Sequence, residues 1–214
     1  MAKELLWHLG DDYAGPPLDP ASCDPDPIVE FRAWFDYAVL AKLPTVNAMT
    51  LATIDERNRP AARIVLLKEV DDRGFVFFTN YDSRKGHDLA HDPHAALILF
   101  WEALQRQVRI EGVVEKLTPE ESDAYFAVRP RQSQLGAIAS PQSQVIADRS
   151  VLEQRVIALE ATLGPASPPR PAHWGGYRVV PDAVELWQGQ RSRLHDRVVY
   201  RRVADGWTRE RLAP

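Results

Sequence analysis

Five runs of apolar, β-branched and aromatic residues fall at 48–54, 61–70, 75–80, about 95–101 and about 105–116, and four more at about 176–180, 183–188, 195–203 and 207–212. Runs of this kind read as strands. Several follow one another across a few polar residues. Asp71, Asp72, Arg73 and Gly74, like Asp205 and Gly206, have the composition of tight turns. Parallel strands would need a crossover of about a dozen residues or more at every step. Helical patterns interrupt the runs in only a few places, so the chain predicts an antiparallel barrel with helices packed outside, a mainly β fold with α elements. A doubly wound sheet would require a regular strand–helix alternation that is absent.

The helices announce themselves at their starts. Asp26 before Pro27 supplies an N-cap and a proline at the first helical position, and Ile28, Phe31, Phe35, Ala38 and Val39 continue at helical spacing, predicting a helix over about 28–42. Ser83 can cap a short helix through about His91. Thr118, Pro119, Glu120 and Glu121 match a capping box, which predicts a helix to about Val128. Val151, Leu152, Val156, Leu159 and Leu163 form a stripe on a helix over 149–163. Prolines at 16, 17, 20, 25 and 27 make 1–27 an extended or mobile arm before a single domain of 28–214, and 164–171 is a proline-rich connector.

Acidic residues exceed Lys and Arg by 30 to 26, which argues against a nucleic-acid binder. Cys23 is the only cysteine, so no disulfide forms within one chain and a reducing compartment is favoured. Nothing basic adjoins Cys23 to activate its thiol. No apolar stretch approaches the roughly 20 residues of a membrane span, so a soluble, cytoplasmic protein is expected. The six histidines lack metal-ligand spacing, and no metal is expected. A glycine-rich dinucleotide fingerprint, a Walker lysine loop and a nucleophile elbow are all missing.

The cations are more informative. Arg63 and Lys68 bracket Ile64, Val65, Leu66 and Leu67. Their odd separation puts them on opposite faces of an unbroken strand, so they serve separate anions or are two solvated strand-end charges. Arg84 and Lys85 follow Ser83 at a helix start, where free N–H groups favour an anion; solvated helix-end charges are the plain alternative. Arg129, Arg131 and Ser133 offer guanidinium forks and a hydroxyl, or simply complement a helix end. On a strand, Arg193, His195 and Arg197 would share one face. That face suits a charged aromatic ligand, unless Asp196 and nearby acids neutralise it. Trp187 leads into it with another flat surface.

These stretches occur together with Phe78, Thr79 and Asn80, with Arg106 and Gln107, with Gln142 and Ser143, with Trp174, Gly175 and Gly176, with Glu185 through Gly189, and with the closing Arg211, Leu212, Ala213 and Pro214. In this order and spacing the chain resembles the pyridoxamine 5′-phosphate oxidase family from about Asp26 to Pro214. The resemblance implies an FMN-binding split β-barrel with flanking helices, and a homodimer with FMN at the interface. It places FMN contacts at Arg63, Ile64, Val65, Leu66, Leu67, Lys68, Phe78, Thr79, Arg84, Lys85, Gln107, Gln142, Ser143, Trp187 and Arg197. Substrate contacts fall at Lys68, Tyr125, Arg129, Ser133, Arg193 and His195, the last two catalytic. Arg63 would serve the flavin phosphate and Lys68 the substrate phosphate.

The implied reaction passes a hydride from C4′ of pyridoxine or pyridoxamine 5′-phosphate to flavin N5. O2 then reoxidises the flavin to give H2O2, and the amine releases ammonia. The chain departs from the family where Asp11 and Asp12, in place of arginines, precede Tyr13, and where Thr45 and Val46 stand in place of Asp-Pro. Tyr13 is assigned no function. Two other readings are a flavin oxidase of phenazine-type precursors and a non-catalytic flavin-binding module. Retention of Lys68, Tyr125, Arg129 and Ser133 favours the phosphorylated B6 substrate.

Overall fold

The computed structural model describes residues 12–214, so the arm expected over 1–27 is described only from Asp12 onward and Asp11 lies outside the described residues. Helix α1 (Pro27–Leu40) precedes strands β1 (Ala48–Ile54), β2 (Pro60–Leu66), β3 (Glu69–Val70) and β4 (Phe75–Asn80). Helix α2 (Arg84–His91), β5 (His94–Trp101) and β6 (Arg106–Lys116) come next, then α3 (Pro119–Val128), α4 (Arg131–Ala139) and α5 (Ser150–Leu163). The chain closes with β7 (Trp174–Gln188), β8 (Asp196–Val203) and β9 (Gly206–Leu212). The strands form one sheet in the order β2-β1-β5-β6-β7-β4-β3, with β8 on β7 and β9 on β8. The β3–β4, β4–β7, β7–β8 and β8–β9 pairings are antiparallel.

The local start signals act as anticipated. Asp26 accepts from the Ile28 N–H at 2.8 Å, and Thr118 and Glu121 close a reciprocal capping box. Each cap contributes about 1 kcal/mol by satisfying N–H groups that a helix leaves unpaired. The 71–74 turn closes with the Asp71 carboxylate accepting the Arg73 and Gly74 N–H groups. Gly74, at φ 153°, lies so close to the Val179 carbonyl that a Cβ would stand 2.0 Å from its oxygen.

Three expectations are corrected. The single strand over 61–70 is two, β2 and β3, with Leu67 and Lys68 between them. Alternation nonetheless persists to that break, leaving Arg63 half-buried, Leu67 buried and Lys68 exposed. The separate strands at 176–180 and 183–188 are one, β7, which runs through Pro181. Helix α4 was not anticipated. It starts at Pro130 with no side-chain cap, carries Gly136, and is held by the buried Gln134 amide donating to the Phe126 carbonyl at 2.7 Å.

Chain contacts divide the fold into two compact units. One comprises the described residues up to Met49 with Leu97–Ile110 and Asp182–Pro214; the other comprises Thr50–Ala96 and Glu111–Pro181. The first buries Phe31, Trp34, Leu99, Trp101, Ile110, Val184, Leu186, Val198 and Tyr200. The second buries Leu51, Phe75, Phe77, Phe126, Leu135, Tyr177 and Val179. Within the second, the Arg178 side chain, 4% exposed, meets the carboxylates of Asp71, Glu115 and Glu121 at 2.5, 3.2 and 3.1 Å. That network ties the start of α3 to β7 and to the 71–74 turn.

Candidate functional site

A cationic cradle forms in the second unit where α2 begins. The Ser83 hydroxyl caps the helix, and Gly86 lies against the chain just before it, where a Cβ would stand 1.9 Å from the Tyr81 carbonyl oxygen. This close approach brings Lys85 beside β4. Its Nζ donates to Thr79 Oγ1 at 3.1 Å, Ser83 Oγ at 3.1 Å and Gln142 Oε1 at 2.6 Å. Burial, and then the neighbouring Arg63 cation, push the Lys85 ammonium down to about 8, with Asp88 opposing.

Arg63 donates from Nη1 to Thr53 Oγ1 at 2.6 Å and to the Leu51 carbonyl at 3.3 Å, and from Nη2 to Asp88 Oδ2 at 3.1 Å. Arg84 is exposed and 3.6 Å from Asp55. Arg63, Arg84, Lys85 and Ser143 line a 370 Å³ cleft with Pro60 to Ala62. Three cations at one opening, with ammonium and guanidinium N–H donors, suit a phosphate group. The exposed Ile64 and Leu66 and the half-buried Val65 flank this end of β2.

An aromatic stack occupies another part of the same unit. Phe78 packs against both Tyr125, with centroids 4.0 Å apart and planes at 23°, and Trp174, at 5.5 Å and 14°, and those two rings also lie near-parallel with centroids 6.2 Å apart. The Arg129 guanidinium sits 4.5 Å over Trp174, and Lys68 Nζ is 6.0 Å from the Tyr125 centroid. Arg129 Nη1 is buried without a hydrogen-bond partner among the described residues. A buried charged donor left unmade is costly, a cost that an anionic ligand would relieve. Ser133 lies exposed in the first turn of α4. Of the expected substrate contacts, Lys68, Tyr125 and Arg129 are thus gathered around one stack.

The remaining expected residues belong to the first unit. His195 lies 4.6 Å from the Trp187 ring, and Tyr13 meets both edge-on at 5.7 Å. The Gln190 N–H donates to His195 Nδ1 at 3.1 Å, so Nδ1 accepts and Nε2 carries the ring proton. Gln107 is half-buried on β6. The shared strand face expected for Arg193, His195 and Arg197 does not exist. Strand β8 starts at Asp196, and Arg193 closes a 3-10 turn, Arg191–Arg193, in which Ser192 and Arg193 have φ of 56° and 61°. Two consecutive left-handed residues turn the chain out of the strand. Arg197 meets Glu185, and Asp196 meets Arg211 at 2.5 Å, so acids do neutralise part of this region.

Sequence reasoning overlooked Thr53 and Asp88, which hold Arg63, and gave no role to Trp174, Glu185 or Tyr13. Asp88 is four residues beyond Arg84 on α2, a spacing that could have flagged it; Thr53 carries no local signal. Among the described residues no group of three or more His, Cys, Asp or Glu is placed to hold a metal, and no helix is long and apolar enough to cross a membrane.

Known proteins match this chain along nearly its whole length. Residues 35–162 match the family model described as Pyridoxamine 5′-phosphate oxidase, and 174–214 match the Pyridoxine 5′-phosphate oxidase C-terminal dimerisation region. The pyridoxine/pyridoxamine 5′-phosphate oxidase of Burkholderia thailandensis is 57% identical over 98% of this chain and 99% of its own. That of Burkholderia vietnamiensis is 58% identical over the same shares. Among solved structures, PhzG from Burkholderia lata, in complex with tetrahydrophenazine-1-carboxylic acid, superposes with a TM-score of 0.89 at 29% identity, covering 95% of this chain and 100% of that one. A pyridoxamine 5′-phosphate oxidase-related, FMN-binding protein from Nostoc punctiforme shares the fold at 16% identity with a TM-score of 0.71, over 86% of this chain and 97% of its own.

Proposed function

The chain belongs to the pyridoxamine 5′-phosphate oxidase family, and on that footing we propose that it is an FMN-dependent oxidase making pyridoxal 5′-phosphate from pyridoxine and pyridoxamine 5′-phosphates. Its fold is the mainly β split barrel with flanking helices. The observation that carries the substrate reading is the orphaned, buried Nη1 of Arg129 beside the Phe78–Tyr125–Trp174 stack. A flat ring bearing a phosphate answers both features at once.

Arg63, Arg84 and Lys85, with Thr79 and Gln142, hold the flavin phosphate; Lys68, Arg129 and Ser133 hold the substrate phosphate. The bound flavin supplies hydride acceptance from the substrate's C4′ carbon and reoxidation by O2 to H2O2. The protein's own task is placement of two rings against each other. His195 keeps its Nε2 proton as a donor because the Gln190 N–H occupies Nδ1. Arg193 is exposed on a turn and supplies a cation for the substrate. The match of 174–214 to a dimerisation region supports a homodimer, the segment that also carries Trp187, Arg193, His195 and Arg197.

The likeness to PhzG favours a second reading, oxidation of a phenazine-type precursor. One experiment separates them. The purified protein is expected to be yellow and to bleach anaerobically with pyridoxine or pyridoxamine 5′-phosphate. Bleaching only by a reduced phenazine carboxylate overturns the B6 reading. Yellow protein that bleaches with neither is a flavin-binding module.

A further inference from the structure

The cradle contains a buried acid that the flavin reading leaves unexplained. Asp88, 5% exposed, sits among Arg63, Arg84 and Lys85, where a phosphate site gains nothing electrostatically from a carboxylate. Its contacts supply another reason for it to be there. Asp88 Oδ2 accepts from Thr53 Oγ1 at 2.6 Å and from Arg63 Nη2 at 3.1 Å. Thr53, 1% exposed, accepts from Arg63 Nη1 at 2.6 Å. The three side chains close a hydrogen-bonded triangle in which each touches the other two. A threonine hydroxyl has one proton to donate, so bonding to Asp88 leaves its lone pairs facing the guanidinium.

The triangle also orders the arginine. With the Leu51 carbonyl it engages both Nη1 protons and one on Nη2, which among the described residues leaves the Nε–H and the other Nη2–H for a ligand. A guanidinium is planar and its donors are rigidly disposed, so holding one edge aims the rest. Asp88 stands on the same helix as Arg84 and Lys85, whereas Arg63 comes from β2. The triangle therefore locks a cation from the sheet to two cations from the helix. We infer that Thr53 and Asp88 are positioning residues that preorganise Arg63 for the flavin phosphate, an assignment that rests on the flavin reading above.

Riboflavin and FMN differ only by the phosphate, so comparing their dissociation constants on apo-protein, by quenching of flavin fluorescence, isolates this effect. Thr53→Val keeps the shape and removes the hydroxyl. It is expected to weaken FMN about tenfold while riboflavin changes less than about twofold, and Thr53→Ser is expected to restore FMN affinity. Because the ratio of the two constants is taken within one protein, a general loss of stability cancels. Thr53→Ala, expected to lower the ratio likewise, serves if the valine variant does not fold. Equal weakening of both flavins, or an unchanged ratio, overturns the inference. Wild-type protein that prefers FMN no more than riboflavin removes the phosphate reading itself, and this inference with it.

Discussion

Arg197 donates from Nε and Nη2 to the two carboxylate oxygens of Glu185, at 2.9 and 3.0 Å. The acid's side chain is 4% exposed and also lies 3.5 Å from Arg109. Two guanidiniums thus share one buried carboxylate. Glu185→Ala leaves both without it, and breaking such a pair from one side costs about 3 kcal/mol. Urea unfolding should show a free energy of unfolding lower by about that amount, with the midpoint moved to lower urea. An unchanged midpoint means that water or a ligand, rather than Glu185, compensates Arg197.

Arg129 is the anchor expected to matter most for the substrate phosphate. Arg129→Leu removes a charge-assisted donor worth about 1.5–3 kcal/mol, so KM for pyridoxamine 5′-phosphate should rise about ten- to a hundredfold. FMN content should stay at the wild-type level, because Arg129 stands over Trp174 at the aromatic cluster, whereas the flavin phosphate is assigned to the cradle at the start of α2. Loss of flavin together with substrate affinity would contradict the separation of the two phosphate sites.

Lys85 links flavin binding to pH. Its ammonium titrates near 8 in the fold, against 10.5 ordinarily. Below about pH 8 it is charged and favours the phosphate. As pH rises through that value the charge is lost, so FMN should bind about tenfold more weakly at pH 9.5 than at pH 7, while riboflavin shows no such limb. Lys85→Met should flatten the FMN profile. Folding has the opposite sign: between the folded and unfolded values the unfolded chain holds more protons, so this group's contribution to apo-protein stability grows with pH. A pH-independent FMN constant in the wild type is the outcome that defeats the assignment.

Arg193 stands at φ 61° in an exposed turn whose preceding N–H, that of Ser192, donates to Asp12 at 3.1 Å. Replacement with leucine should lower turnover about a hundredfold, the scale of losing one electrostatic partner at a reacting centre, with little change in flavin content. Unchanged turnover would remove Arg193 from the reaction.

Much of the fold was legible because it is encoded by neighbouring residues. Asp26 and Pro27 start α1 where the dipeptide implied, Thr118 and Glu121 start α3, and β1 and β4 keep the bounds of their apolar runs. Helix α4 was not legible, since it has no capping side chain and is held by Gln134 reaching back to Phe126. The strand face expected for Arg193, His195 and Arg197 fails because nothing in their side-chain pattern reveals the two left-handed residues, Ser192 and Arg193.

The cationic stretches are plain in the sequence, and their order along the chain carries the resemblance to the family. Residue order by itself determined which segments become strands and helices, and where cations lie along them. These follow from propensity, capping and alternation, all of which act within a few residues. Only the tertiary structure decided which cations keep a free charge and which are spoken for. Arg197 is held by an acid 12 residues away, and Arg63 by Asp88, 25 residues away, whereas Arg129 retains a buried N–H without a partner among the described residues. Those differences depend on distances through space and on burial, because the strength of a charge pair is set by separation and local dielectric rather than by sequence spacing.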